Sequence, residues 1–293
     1  MDALAYELKE LTTRAGDGSF STRAVRHRGL QAIAGDLKDL GYKLPGAHSL
    51  KPKHVSALLD KWKGEGLGDG TLKNRMGWLR WWASAVRKNS IMLPTNEDYG
   101  IGQRERFKGD RSNRLDGDKL AKVRDQLVRY SLQLQAAFGL RREEAIKFRV
   151  AHADRGDKLV LKPSWTKGGR YREIPITHPK QRALLNEIRV AVGDRALIPD
   201  GKLYKDQMNR YKHEVAQSGL GRGHGLRHAY AQWRYKVLTG QSCPAKGGQA
   251  AVAMGREGAE RDRWAREIVA EELGHSRIDV TDAYLGRRTQ EAA

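Results

Sequence analysis

Apolar residues recur every three or four positions through most of this chain, and that period predicts a mainly helical fold. In the first hundred residues, one such stripe occupies residues 30–40 and another occupies residues 55–62. Ser21 or Thr22 can cap the start of the first helix, and Gly41 follows its end. A third stripe consists of Leu72, Met76, Leu79, Ala83 and Val86. These patterns predict that the N-terminal part is all-helical.

The pattern changes after this helical part. Residues 101–115 lose the apolar period, and basic residues outnumber acidic ones, which indicates a basic linker. Helical periods then resume and are interrupted by two strand-like runs, 158–162 and 171–176, which we expect to pair as a hairpin. The sequence therefore predicts a mainly α fold with a small β-sheet. It divides into a helical domain at residues 1–100 and an α+β domain at residues 116–293.

The charge of the chain favours a polyanionic partner. Its 293 residues include 55 Lys and Arg against 35 Asp and Glu, a formal net charge of +20. Nucleic acid is the first candidate for such a partner. Basic residues interleave with tryptophans on the third predicted helix, so we expect one face of it to follow a DNA backbone. The candidate DNA contacts are Lys73, Arg75, Arg80, Arg104 and Arg106.

Other partners and locations are less favoured by the composition. No apolar run approaches the length of a membrane span, and the first residues lack the pattern of a signal peptide. The single cysteine, Cys243, excludes an intrachain disulfide and a zinc site built from several cysteines. The chain is therefore expected in the reducing cytoplasm, without a membrane partner.

The segment 223–229 combines groups that suit a phosphate. It reads Gly-His-Gly-Leu-Arg-His-Ala after a glycine-rich run and is predicted to begin a helix. His224 and Arg227 are three residues apart and so share one face of its first turn, where free N–H groups and the helix dipole favour an anion. A guanidinium can donate two hydrogen bonds to phosphate, and an imidazole can move a proton near neutral pH. Alone, the pair is more commonly a surface arginine one turn from a capping histidine.

Four other positions offer compatible chemistry. Arg141 stands near a predicted helix start, Lys167 lies at the tip of the predicted hairpin, and His275 lies in Leu-Gly-His-Ser. Tyr284 follows nine residues after that histidine. Each has an ordinary structural explanation when taken alone. These explanations are a helix-surface ion pair, an exposed turn lysine, a helix cap and a half-buried aromatic anchor.

Taken in order, these motifs resemble those of the tyrosine recombinase (phage integrase) family. The frames Gly-Leu-Arg-x-x-Glu, Lys-Gly-x-x-x-Arg and His-x-Leu-Arg-His all occur, followed by Leu-Gly-His-Ser and a tyrosine. They fall between residues 139 and 284. The resemblance implies a catalytic domain of α+β type that follows a helical core-binding domain. One departure is the 51-residue separation of His224 from His275, which is longer than in minimal members.

The resemblance also implies roles for individual residues. The implied catalytic set is Arg141, Lys167, His224, Arg227, His275 and Tyr284. Tyr284 attacks the phosphorus and forms a 3′-phosphotyrosyl enzyme, while the arginines hold the non-bridging oxygens. His224 is the candidate base, Lys167 protonates the leaving 5′ oxygen, and His275 donates a hydrogen bond to the phosphate. Glu144 is expected to orient Arg141, and His228 to buttress the site.

The implied activity is site-specific recombination of double-stranded DNA, which integrates or excises a phage or another mobile element. A homotetramer on paired DNA sites and accessory DNA-bending factors are the expected partners. No metal ion or cofactor is expected, since no metal-ligand motif accompanies His224 and His228. ATP is not needed either, because a covalent protein–DNA intermediate conserves the bond energy. Three alternatives stay open: a chromosome-dimer resolvase, a type IB topoisomerase, and a non-catalytic DNA-binding protein with the same fold.

Overall fold

The computed structural model describes residues 2–103, 105–221 and 223–288. It divides the chain into two compact units, Met1–Glu105 and Arg106–Ala293. This division lies inside the segment expected to be a linker. Ile101 is buried in the core of the first unit, while the N–H of Asn113 donates to the Gly225 carbonyl within the second, at 3.0 Å. Among the described residues, no helix is both long enough and apolar enough to cross a membrane.

The first unit is all-helical in its described part, as predicted. Its helices are α1 (Ala3–Arg14), α2 (Phe20–Asp39), α3 (Pro52–Gly64) and α4 (Asp69–Ala85). The predicted stripe of α4 is buried throughout, because it packs into one core with α2 and α3. The cap of α2 differs from expectation. The Ser19 side chain accepts the N–H of Thr22 at 3.2 Å, so the helix begins before Ser21.

The second unit combines helices with one hairpin, which confirms the predicted mainly α fold with a small sheet. Its first elements are α5 (Gly117–Ala121), α6 (Gln126–Phe138), α7 (Arg142–Ile146), α8 (Val150–Ala153), β1 (Lys158–Leu161) and β2 (Arg172–Pro175). They are followed by α9 (Pro179–Val192), α10 (Tyr204–Ser218), α11 (His224–Thr239), α12 (Arg256–Glu272) and α13 (Asp282–Leu285). A 3-10 turn, Ile278–Thr281, leads directly into α13.

Strands β1 and β2 pair antiparallel, with Leu159 opposite Ile174 and Leu161 opposite Arg172. The face that carries these residues is buried, and Lys158 pairs with Glu173 at 2.9 Å on the other face. The strict alternation of a strand therefore sends the Arg172 side chain inward among apolar residues. A buried arginine at such a position needs charged or polar partners.

The end of α6 determines where Arg141 lies. The chain turns at Gly139, which has a φ of +61°. A Cβ on this glycine would lie 2.5 Å from the Tyr230 ring, so neither the backbone angle nor the space admits a side chain. The turn brings Arg141 to the N-cap of α7. At the other end of α6, Asp125 caps the helix by accepting the N–H of Val128 at 3.0 Å.

Candidate active site

Arg227 lies at the centre of the site, in the first turn of α11. Its side chain is buried, with 1% of the residue exposed. The guanidinium donates to the carbonyls of Gly139 and Leu273 and lies 3.2 Å from Nε2 of His275. Burial lowers the pKa of Arg227 to about 9, and the nearby Arg172 and Arg141 act in the same direction. The arginine is still protonated at neutral pH, in a region that carries more positive than negative charge.

Tyr284 lies against this guanidinium. Nε of Arg227 donates to its hydroxyl oxygen at 3.4 Å, and the tyrosine is only 6% exposed. Its ring centroid is 4.4 Å from that of His228 and 5.3 Å from that of His275. The ring of His224 lies 5.8 Å away. The candidate nucleophile, one candidate arginine and three histidines therefore meet although the chain separates them widely.

Glu144 organises the second candidate arginine. The carboxylate has no exposed surface, and it accepts the backbone N–H of Arg141 at 2.6 Å and its Nη1 at 2.8 Å. Burial opposes the charged form of Glu144, but Arg172, Arg141 and Arg227 outweigh this effect and lower its pKa. The carboxylate is therefore ionised. Arg141 retains 27% side-chain exposure, so its guanidinium is held by protein on one side and reaches solvent.

The histidines of the site are uncharged at neutral pH. Burial, together with His224, lowers the pKa of His228 to about 4. Burial, together with Arg227, lowers the pKa of His275 to about 3. Burial also lowers the pKa of His224, and the positive charges of Arg227 and Arg141 add to this effect. A neutral imidazole can accept a proton, which a base in this position must do.

These low values predict acid sensitivity. In the folded state His228 binds a proton only near pH 4, whereas in the unfolded chain it does so near 6.5. Its contribution to the free energy of unfolding is therefore complete above pH 6.5 and is lost as the pH falls towards 4. His275 acts in the same direction. We expect His228→Gln to reduce the pH dependence of the unfolding free energy between pH 6 and 5 by roughly 1 kcal/mol per pH unit.

Chemical denaturation at several pH values measures this slope. His213→Gln, at an exposed position on α10, is the control and should keep the wild-type slope. Equal slopes for wild type and His228→Gln would contradict a buried neutral imidazole.

The structure does not bring Lys167 to this cluster. The residue lies at the start of an exposed 3-10 turn, Lys167–Gly169, between β1 and β2. Among the described residues, no hydrogen bond or ion pair of its side chain is found. Its placement at the hairpin tip agrees with the sequence, but its approach to the reacting groups stays a prediction.

The candidate DNA contacts have varied environments. Arg75 pairs with Asp36 at 3.0 Å, and Arg80 donates to Asn96 at 2.7 Å, so both already bind within the first unit. Arg106 pairs with Asp279 at 2.8 Å within the second unit. Lys73 is half-exposed on α4. Arg104 lies outside the described residues.

Sequence reasoning missed a second layer of buried polar groups behind the site. Arg172 donates to Glu144 at 2.7 Å, and Glu272 accepts from Arg234 at 2.8 Å and from Tyr230 at 2.8 Å. Gln232 donates both to Asp110 at 2.8 Å and to the carbonyl of Tyr284 at 3.0 Å. Two signals were available: Arg172 ends the Lys-Gly-x-x-x-Arg frame, and Glu272 directly precedes Leu273-Gly274-His275. Within the described part of the chain, no group of three or more His, Cys, Asp or Glu residues is arranged to hold a metal ion.

Two family models match the chain. The model described as "Phage integrase, N-terminal" matches residues 1–91, and the model described as "Integrase" matches residues 112–233. Together they cover most of both structural units. A search of curated proteins returned no match.

Several solved structures share the fold. A lambda integrase dimer bound to a COC′ core site is similar with a TM-score of 0.59 and 16% identity, over 99% of this chain and 79% of that one. XerH site-specific recombinase bound to a palindromic difH substrate has a TM-score of 0.56 and 17% identity, over 96% and 80%. Tn1549 transposon integrase in complex with circular intermediate DNA has a TM-score of 0.53 and 16% identity, over 100% and 98%. At these identities the likeness establishes the fold.

Proposed function

Because this chain belongs to the tyrosine recombinase (phage integrase) family, we propose that it is a site-specific DNA recombinase whose nucleophile is Tyr284. It cleaves and rejoins DNA strands through a 3′-phosphotyrosyl intermediate and thereby integrates or excises a mobile element. The observation that carries this proposal is the 3.4 Å contact between the Tyr284 hydroxyl and Arg227 within a buried, predominantly cationic cluster. Arg141, Arg172 and Arg227 outnumber Glu144, the carboxylate that lies among them, and this excess of positive charge suits a phosphodiester.

Charge stabilisation explains the arginines. Attack on the phosphorus gives a pentacovalent transition state with negative charge on its non-bridging oxygens. Arg141 and Arg227 bind these oxygens, since a guanidinium can donate two hydrogen bonds in one plane and a lysine cannot. Burial increases the effect because the surrounding medium screens these charges less than water does. His275 adds a further hydrogen-bond donor.

Proton transfers complete the reaction. The bond from the Tyr284 oxygen to phosphorus forms while the bond from phosphorus to the 5′ oxygen breaks. His224 accepts the phenol proton, and its lowered pKa keeps it neutral and ready to do so. Lys167 donates a proton to the departing 5′ oxygen once DNA engages the hairpin. The reverse steps rejoin the strands, so the reaction needs no ATP, and the arginines supply the positive charge that a metal ion could otherwise provide.

Assembly and DNA contacts follow from the same proposal. A lambda integrase tetramer bound to a Holliday junction has a TM-score of 0.59 with this chain. We place this protein likewise in a homotetramer on paired sites, in the cytoplasm of the cell whose DNA it recombines, with DNA-bending proteins as accessory partners. Lys73 is the foremost backbone contact of the first unit. Arg75 and Arg80 contact DNA only by sharing or exchanging their protein partners.

The test is covalent capture. A duplex suicide substrate, nicked so that the cleaved end diffuses away, should trap a protein–DNA adduct that migrates slowly on a denaturing gel. Proteolysis and mass spectrometry should find the nucleotide on the peptide that contains Tyr284. Adduct formation should persist in EDTA and without ATP.

The outcomes separate the proposal from its alternatives. Tight duplex binding without an adduct on any attachment-site sequence would favour the non-catalytic DNA-binding protein. Relaxation of supercoiled plasmids that carry no recombination site would favour the topoisomerase. Recombination confined to a chromosomal dimer-resolution site would favour the resolvase.

A further inference from the structure

Glu144 is a buried carboxylate whose two oxygens are both used. Oε1 accepts Nη1 of Arg141 at 2.8 Å. Oε2 accepts the N–H of Arg141 at 2.6 Å and Nη1 of Arg172 at 2.7 Å. The orientation of the Arg141 side chain therefore depends on the orientation of this carboxylate, and the carboxylate is shared with a second arginine.

Arg172 is positioned by strand β2 and by the end of α12. Its side chain is 1% exposed on the inward face of β2, and Nε donates to the Glu272 carbonyl at the end of α12, at 2.7 Å. Its Nη2 is buried and has no hydrogen-bond partner among the described residues. One guanidinium thus joins the hairpin, α7 and the end of α12.

The segment after α12 packs closely against Arg172 and Arg141. Gly274 has a φ of +64°, and a Cβ there would lie 2.9 Å from Cδ of Arg172 and 3.6 Å from Nη1 of Arg141. His275, the next residue, lies 3.2 Å from Arg227. A movement of the Arg172 side chain would therefore shift Arg141, because both arginines bind Glu144. It would also shift His275, because Arg172 packs against the neighbouring Gly274.

Loss of the Arg172 guanidinium would leave the buried Glu272 carbonyl without this donor, and Oε2 of Glu144 would keep only the backbone N–H of Arg141. A buried carboxylate that loses one of its two cations turns to its remaining partner or to water, since an uncompensated buried charge is unfavourable. Either change moves the guanidinium of Arg141. Displacing a reacting group by about 1 Å can slow a reaction roughly 100-fold.

We propose that Arg172 is a positioning residue of the recombination site. It fixes Glu144 and, through it, Arg141 at the scissile phosphate. Because Arg172 begins β2, directly after the connection that carries Lys167, the contact also joins this end of the hairpin to the arginine that binds the phosphate. This inference rests on the proposed function and assigns Arg172 no direct contact with DNA.

Single-turnover cleavage of the suicide substrate tests the proposal. Arg172→Gln should slow cleavage about 100-fold at saturating DNA, while its Kd for duplex DNA changes less than about threefold. Arg172→Lys keeps the charge but cannot donate in two directions from one planar group, so we expect cleavage about tenfold slower than wild type. The matched control is Arg182→Gln, which removes an arginine that pairs with the buried Asp154 at 2.6 Å outside the site. It should cleave at the wild-type rate per folded molecule.

A double-mutant comparison separates positioning from a general loss of structure. If Arg172 acts through Arg141, then Arg172→Gln should slow cleavage no further in an Arg141→Ala background. An equal effect in both backgrounds, or a wild-type rate for folded Arg172→Gln, would overturn the proposal. Should Arg172→Gln fail to fold, a wild-type rate for Arg172→Lys overturns it instead. Failure of the wild-type protein to form any adduct refutes the proposed function and is distinguishable from all of these results.

Discussion

Tyr284→Phe is expected to abolish the covalent protein–DNA adduct while leaving duplex binding at its wild-type level. The change removes one oxygen, the atom that forms the bond to phosphorus, and the histidines and Arg227 that surround it carry no equivalent nucleophile for a stable 3′ linkage. The ring keeps its contacts, including the 4.4 Å stacking on His228. The lost hydrogen bond to Arg227 is long, so stability should fall by no more than about 1 kcal/mol.

Denaturing gels with the suicide substrate measure the adduct, and fluorescence anisotropy measures binding. Tyr171→Phe removes an exposed phenol on the connection that precedes β2 and should form the adduct normally. An adduct formed by Tyr284→Phe would show that another residue is the nucleophile. Loss of both the adduct and DNA binding would indicate that the variant is misfolded, which thermal unfolding would reveal.

Arg227→Gln should lower single-turnover cleavage by about 1,000-fold, the upper range for the loss of one preorganised donor to a transition state. The variant removes the cation nearest the Tyr284 hydroxyl and keeps a side chain of similar polarity. It also removes donors from the Gly139 and Leu273 carbonyls, so we expect a lower melting temperature as well. Binding of uncleaved duplex should weaken much less than cleavage, since the proposed backbone contacts involve several other basic residues.

The two effects of this substitution can be separated. Rapid-quench rates are compared per folded molecule, at a temperature where unfolding measurements show the variant to be native. Arg182→Gln serves again as a control for the loss of a charged, hydrogen-bonded side chain. A rate for Arg227→Gln within tenfold of wild type would remove Arg227 from the phosphate-binding role.

The apolar period was sufficient to predict most helices, because a helix forms where one apolar face can be buried in the core. The stripe from Leu72 to Val86 packs as expected, and the hairpin forms where its two apolar runs indicated. A local sequence pattern could not show which charged side chains already bind another residue of the protein. Arg75 and Arg80 read as free cations on a helix, yet Asp36 and Asn96 engage them from other segments.

The candidate site was likewise predictable only in part. Residue types and order identified Arg141, His224 and Tyr284, but not the distances between them, which arise from the packing of α7, α11 and α13. Arg172 was visible only as a position in a motif. Its importance follows from strand alternation, which sends an arginine into a core, and from the buried carboxylate that receives it there. Lys167 is the opposite case. Its motif is present in the sequence, but its side chain lies on an exposed turn and makes no hydrogen bond or ion pair with the described residues.

The Tyr284 hydroxyl touches Arg227 of its own chain. If Tyr284 is the nucleophile, as proposed, one chain holds both the attacking hydroxyl and the guanidinium beside it. In the proposed tetramer, the assembly would then determine which subunit cuts first and which broken end meets which tyrosine. Control of the proposed reaction would then act on the time at which each subunit reacts, including the approach of Lys167 to the phosphate.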